Sequence, residues 1–406
     1  MDKIFLSYSR KNKKHVGLLA AQLKARGLRT WQDVSDLLLG KPTEQEIRQA
    51  LAADCCAFLI YITRQSLQSE YVMTVELPAA LRQREQDPSF AIIPVFHGVS
   101  PRDATDATTR ATGRDIAVFH GVRIRGPKRI TSEDAVSTLR SEFGKVARQA
   151  LYEYLGRRAP TVSGRPSGEL IVDVHTKQYT AYPQAADLTL DWLPFFSEGS
   201  LASPLVWSDT LVPALRDVKE SAAKECGTGC MHIRAKAHLS AGVALGFAFR
   251  SPSGFTLDVT QGDDTWTTSC VPRDPAPLTV SVKGGSVGSR DLAAELSITG
   301  DVSEAVDKLV RDRGRDFRAR VAFRPPAGDA RNAVAGPEEA LAMAVQVATD
   351  IRRLREEYGA DVTHLFAAAP LALAVLLGHQ LNACGPIQMY EYYNPDTKYV
   401  PSCLLA

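Results

Sequence analysis

Residues 231–269 recur 132 positions later without a gap, and this self-similarity constrains the chain more than any other feature. His232, Ala235, Ala237, Leu239, Val243, Leu245, Gly246, Asp264 and Thr265 return as His364, Ala367, Ala369, Leu371, Val375, Leu377, Gly378, Asp396 and Thr397. Nine identities stand where unrelated segments of that length give about three, so the C-terminal half is a duplicated unit. A duplicated strand–helix–strand unit predicts a pseudo-two-fold sheet whose two strand-to-helix switch points face one crevice. Open α/β sheets bind ligands at such points, so a sensor is expected there.

With 406 residues there is room for two or three domains. Lysine and arginine number 48 against 46 acidic residues, so no polyanion-coating surface is implied and duplex nucleic acid is not an expected partner. Seven cysteines without framework spacing suit a reducing compartment, and Cys55 and Cys56 fall inside an apolar run. The start, MDKIFLSYSR, has no apolar signal core. The most apolar stretch, 365–378, is too short for a bilayer and contains Pro370, so a cytoplasmic protein without a membrane span is expected.

The first third alternates short apolar runs with amphipathic segments, the pattern of a parallel sheet covered on both faces. Strands are predicted at 4–8, 29–31, 57–62, 91–96 and 116–119, with helices at 13–26, 43–53, 69–84 and 132–155. Thr43 with Glu46 reads as a capping box behind Pro42. This is a flavodoxin-like layout for residues 1–155. Residues 156–168, GRRAPTVSGRPSG, read as a linker, and residues 169–406 as the sensor, with pseudo-repeats near 200–290 and 291–406. Long helices at 204–225 and 337–358 precede the two repeats.

Ile4 to Arg10, then Trp31-Gln32-Asp33, the loop Asp36 to Lys41, Ser69-Glu70-Tyr71-Val72 with Glu76, and Ile92 to Phe96 occur in an order that resembles a TIR domain. That resemblance implies either an adaptor that only associates or an enzyme cleaving the N-glycosidic bond of NAD. In the enzymes a helix glutamate preceded by an aromatic residue sits over the nicotinamide ribose. Glu76 matches the glutamate and Tyr71 the aromatic, with a spacing one residue longer than the usual four. A carboxylate suits the chemistry because the departing ring leaves oxocarbenium charge behind, which a fixed anion stabilises. The pyridinium leaves neutral, so no general acid is needed. Glu70 and Glu85 are rival carboxylates.

Tyr8, Ser9 and Arg10 end the first strand at the ligand-binding edge. Trp31 at the same edge either stacks on a base or nicotinamide ring or packs in the core. Lys41 is a candidate for pyrophosphate. Leu38 sits in the apolar Leu37–Leu39 loop, which marks an interaction surface; in the resembled enzymes it helps a neighbouring subunit complete the site. NAD is thus the expected substrate, and no cofactor or metal is expected. Cys226, Cys230 and His232 supply only three clustered zinc-type ligands.

In the C-terminal half, Arg234 and Lys236 share a strand face that is either a phosphate-reading or a solvent face. Helix N-termini after each strand attract phosphate. Gln261, Trp266, Tyr390, Tyr392, Tyr393 and Tyr399 bring polar and stacking surfaces toward the crevice. Arg234-Ala-Lys236, the Gly246 helix, Gln261 through Trp266, His364-Leu-Phe366, Ala368, Pro370, Gly378 and Tyr399-Val-Pro together resemble a SAVED domain, a fusion of two CARF-like halves. The resemblance implies binding of a cyclic oligonucleotide, typically cyclic tri-adenylate, and a TIR–SAVED effector of bacterial antiphage signalling. Such a messenger would drive head-to-tail oligomers or filaments that assemble the NAD-cleaving site. Competing readings are a non-catalytic scaffold and a ring nuclease using His238. Gly284 to Ser289 lacks a phosphate-loop lysine and reads as a turn.

Overall fold

A computed structural model describes the chain except residues 1, 33–42, 197–200, 275–276 and 394–395. Two compact units emerge, residues 1–158 with 188–190, and residues 159–187 with 191–406.

The first unit is built on strands β1 (Lys3–Ser7), β2 (Arg29–Trp31), β3 (Cys55–Ile62), β4 (Ala91–His97) and β5 (Val122–Ile124), in the order β2-β1-β3-β4-β5. All pairings are parallel. Strand β3, CCAFLIYI, is buried along nearly its whole length, as expected when helices cover both faces. Helices α1 (Lys13–Ala25), α2 (Thr43–Gln49), α3 (Leu77–Gln86), α4 (Pro101–Thr112) and α5 (Glu133–Ser163) supply that cover. Ser100 caps α4 by accepting from the Asp103 amide, and Gly113 ends it at φ 73°.

Three local expectations change. The segment 116–119 is not a strand: Asp115 accepts from the Ala117 amide at 2.7 Å and closes a 3-10 turn that buries Ile116, so the fifth strand forms later, at β5. The helices read at 43–53 and 69–84 each contain a π turn, Ala50–Asp54 and Val72–Glu76. Residues 156–163 of the span read as a linker are helical and continue α5 through Pro160, and the first unit ends within that span, at residue 158. Arg157 donates to the Cys56 carbonyl at 2.6 Å and Val162 is fully buried, so packing holds these residues helical despite their composition. Pro42 and the Leu37–Leu39 loop, including Leu38 and Lys41, lie outside the described residues.

Two further sheets follow along the chain. Strands β6 (Leu170–His175), β7 (Leu188–Asp191), β8 (Cys230–Lys236), β9 (Thr256–Gln261) and β10 (Asp264–Thr267) are ordered β10-β9-β8-β6-β7. Strands β11 (Thr279–Gly284), β12 (Asp291–Ser297), β13 (Ala319–Arg324), β14 (Val362–Ala368), β15 (Ile387–Tyr393) and β16 (Lys398–Leu405) are ordered β11-β13-β12-β14-β15-β16. The principal helices are α6 (Val212–Ser221), α7 (Leu239–Ala248), α8 (Ser303–Arg313), α9 (Pro337–Tyr358) and α10 (Leu371–Gln380).

The repeats are β8-α7-β9 and β14-α10-β15, and each stays in its own sheet, which corrects the expectation of one pseudo-two-fold sheet. The reason lies in the repeated glycines. A Cβ on Gly246 would stand 2.0 Å from the Val375 carbonyl oxygen, and one on Gly378 would stand 2.2 Å from that of Val243. Helices α7 and α10 therefore cross backbone to backbone about the duplication axis, and this contact, rather than a shared sheet, joins the repeats.

Candidate functional site

In the first unit, Glu76 closes the π turn that leads into α3. It is 4% exposed, whereas Glu70 and Glu85 are exposed, so of the three rival carboxylates only Glu76 is enclosed. The hydroxyl of Ser7, last residue of β1, donates to Glu76 Oε2 at 2.5 Å. This fixes the carboxylate at the carboxyl edge of the sheet.

The π turn accounts for the unusual spacing from Tyr71. Five residues would separate two side chains by about 140° around an α-helix. Here the Leu77 amide bonds to the Val72 carbonyl five residues back, and the wider turn absorbs the extra residue. Tyr71 and Glu76 thereby return toward one face, and Tyr71 packs, partly buried, against the cluster that holds Val72 and Leu77.

Tyr8 and Ser9 follow β1 and are buried, while Arg10 is exposed and opens a 3-10 turn. Trp31 belongs to the core: its ring stacks on Phe5 with centroids 4.5 Å apart, and 4% exposure leaves no face for a ligand. A strand-end tryptophan beside Phe5 of the neighbouring strand buries more apolar surface by stacking inward.

In the second unit, a cavity of about 620 Å³ opens beyond the ends of β12 and β14. Ala368, Tyr392 and Tyr399 line it together with Lys308 and Arg311 of α8 and the carboxylates Asp301 and Glu304. Those two cations escape a sequence reading because α8 looks like any amphipathic surface helix. Tyr392 presents 40% of its surface, and Tyr399 stands edge-on to it with centroids 5.4 Å apart. Lys308 ties α8 to the β15–β16 turn through Thr397 Oγ1 at 3.2 Å. Phe366 is instead fully buried beneath the cavity, against Tyr390 and Tyr399.

The remaining predicted sensor residues do other work. Arg234 is buried in an ion pair with Asp173, its register partner on β6, at 2.7 Å, donates to the Gln184 carbonyl and lies over the Tyr182 ring. Burial with a matched carboxylate makes it a cross-strand clamp. Lys236 is exposed at the end of β8, in the other sheet from the cavity. Trp266, 5% exposed, is a core ring.

Gln261 accepts from the Ala372 amide at 3.2 Å, and Glu391 accepts from the Ser240 amide at 3.0 Å. Each repeat thus caps the other's helix N-terminus, so those amides are spent on protein groups rather than free for phosphate. Burial pushes the Glu391 carboxyl upward from its ordinary range, against the opposing pull of the Ser240 amide. His238 accepts or donates at Thr176 Oγ1 across 2.7 Å and stacks on Phe196; burial, then Lys177, lowers it to about 4.

Among the described residues no three His, Cys, Asp or Glu side chains converge as metal ligands, and no helix is long and apolar enough to cross a membrane.

A flavodoxin-ordered parallel sheet with an enclosed carboxylate at its edge is followed by a duplicated α/β unit with a polar cavity. Residues 4–126 match the TIR domain, and residues 214–405 match SAVED, the SMODS-associated and fused to various effectors sensor domain. The chain is a TIR–SAVED fusion. It is similar to CD-NTase-associated protein 4 of Enterobacter hormaechei subsp. hoffmannii (strain UCI 50), at 25% identity over 226 residues. That match takes in 53% of this chain and 43% of the relative, so the chain spans under half of the relative's length. The fold is shared with the Acinetobacter baumannii Cap4 SAVED/CARF-domain containing receptor, solved with the cyclic trinucleotide 3'3'3'-cAAA, at 13% identity and TM-score 0.51 over 97% of this chain and 98% of that one. The same receptor with 2'3'3'-cAAA gives a TM-score of 0.51 at 13% identity, over 97% of each chain.

Proposed function

We propose that this protein is an NAD glycohydrolase switched on by a cyclic trinucleotide. The observation that carries the reading is Glu76, an enclosed carboxylate set at the sheet's ligand-binding edge by Ser7. In the reaction the bond between nicotinamide nitrogen and ribose C1′ breaks, the electron pair leaves with neutral nicotinamide, and water adds to the resulting oxocarbenium carbon and loses a proton to solvent. Glu76 stabilises the positive sugar, and the Ser7 hydroxyl orients the carboxylate without neutralising it.

Cyclic tri-adenylate is the activator that the sensor cavity fits. Lys308 and Arg311 supply charge for phosphates, and the exposed Tyr392 ring supplies a face for a base. Receptors of the same fold hold cyclic trinucleotides, which supports the assignment. Occupancy of the sensor promotes head-to-tail self-association that places TIR domains side by side in the bacterial cytoplasm.

Mixing the full chain with NAD, with and without cyclic tri-adenylate, tests both parts. Nicotinamide release only in the presence of the activator, together with a rise in light scattering, is expected. Equal release in both mixtures removes the gating, and tight activator binding with no release favours the non-catalytic scaffold.

A further inference from the structure

The TIR unit carries a cavity that the NAD-cleaving reading does not use. It measures about 400 Å³ and is walled by the segments that follow β1, β3, β4 and β5. The sheet order reverses between β1 and β3, so this is the topological switch point where open α/β sheets take ligands. Along β3, Ile60 and Ile62 face the cluster containing Val72 and Leu77 of the Glu76 segment. Tyr61 and Thr63 alternate to the opposite face, toward this cavity.

Its wall is cationic. Lys11, Lys14, Arg64, Lys128 and Arg129 line it, all exposed, and none takes part in an ion pair among the described residues. A neighbouring cavity of about 470 Å³ shares His97, Gly98 and Lys128 and adds Arg123 and Arg125. The base of the site is rigid. His97 is bonded to the Tyr61 hydroxyl through Nδ1 and to the Gly126 carbonyl at 3.1 Å through Nε2, and Thr63 donates to Asn12 Oδ1 at 2.9 Å. Gly98, at φ 69°, leaves room for the Lys128 stem, whose Cε would lie 2.7 Å from a Cβ there. His15 also lines the cavity, and its buried Nε2 has no hydrogen-bond partner among the described residues.

From this convergence of unpaired cations on a rigid, concave switch-point cavity, we infer that the TIR unit binds a nucleoside di- or triphosphate through its phosphate chain, at a site separate from Glu76. The arrangement favours a small ligand over nucleic acid: the cations gather around one cavity of small-molecule size instead of forming a stripe, on a chain with nearly balanced charge. Ile130 is the one aliphatic side chain of the lining among the described residues, so the phosphates carry the recognition and the base is read weakly. The inference does not depend on NAD cleavage.

Calorimetry on the full chain tests it with inorganic pyrophosphate, ADP, GDP and adenosine. Pyrophosphate, ADP and GDP are expected to bind with similar affinity that weakens as salt is raised, and adenosine is expected not to bind. The triple variant Arg64→Ala, Lys128→Ala, Arg129→Ala, all exposed positions, should weaken pyrophosphate by roughly tenfold or more with an unchanged unfolding midpoint. Lys308→Ala in the sensor and Glu76→Gln should leave it intact, which separates failure of this site from failure of the proposed activity. Adenosine binding as well as ADP, pyrophosphate affinity unchanged in the triple variant, or binding of a single-stranded oligonucleotide without binding of pyrophosphate would each overturn the inference.

Discussion

Ser7 and Glu76 form the smallest unit on which the proposed chemistry turns. Replacing Glu76 by Gln keeps the shape and a hydrogen-bond acceptor while removing the charge. Activator-dependent nicotinamide release should therefore vanish while cyclic-trinucleotide binding persists, as read by turnover and calorimetry on the same preparation. Ser7→Ala removes one hydrogen bond to a charged group, an interaction of about 1.5–3 kcal/mol. If the bond serves to orient the carboxylate, turnover falls by about ten- to a hundredfold with KM little changed. Trp31 supplies the contrasting case. Because its ring is stacked in the core, Trp31→Ala should cost about 3–5 kcal/mol in urea unfolding. Loss of activity at unchanged stability would return it to the ligand site.

At the scale of elements, the duplicated sensor is joined by a close helix crossing and by reciprocal caps. Gly378→Ala places a methyl against the Val243 carbonyl and should lower stability by about 1–3 kcal/mol. Gly17→Ala serves as the comparison: it too lies inside a helix, but a Cβ there meets nothing within 4 Å, so its effect reports helix propensity without a clash. A denaturation curve that separates the two variants measures the crossing itself. The glycines that carry it were visible in the sequence as repeat identities, but their purpose was not, since a one-dimensional repeat does not say whether its copies share a sheet. The parallel strands of the first unit were legible because continuous apolar runs have few other uses. The π turn was not, because Val72 to Glu76 has the composition of an ordinary helix and only the five-residue spacing from Tyr71 hinted at it. Arg234 was misread for a related reason: strand alternation places it beside Lys236, but the carboxylate that claims it, Asp173, arrives from a strand 61 residues away. Glu76 could be singled out by resemblance, whereas its burial and its bond to Ser7 required the fold.

For the whole molecule, the histidines set a pH dependence whose sign can be worked out. Burial is the leading cause that lowers His15, His97, His175, His238, His364 and His379, with His238 and His364 brought to about 4. The unfolded chain titrates these groups near 6.5, so below that pH it binds more protons than the folded chain. Their contribution to stability is complete above about pH 6.5, declines as pH falls, and for His238 and His364 is exhausted near pH 4. Glu391 acts in the opposite sense: its raised carboxyl favours the neutral form, a contribution present below the ordinary glutamate range and lost as pH rises from that range through the raised value. Six lowered histidines stand against this one carboxyl, so the histidines set the net slope as pH falls below about 6.5. Urea midpoints should therefore hold level down to about pH 6.5 and drop as pH falls further. His364→Gln, which replaces a neutral imidazole bonded to Tyr390 and Asp291 by a group that does not titrate, should start lower and show a shallower slope. A midpoint that stays level or rises on that further acidification would mean that these rings are already protonated in the folded protein, and that the enclosure described around them is too wet.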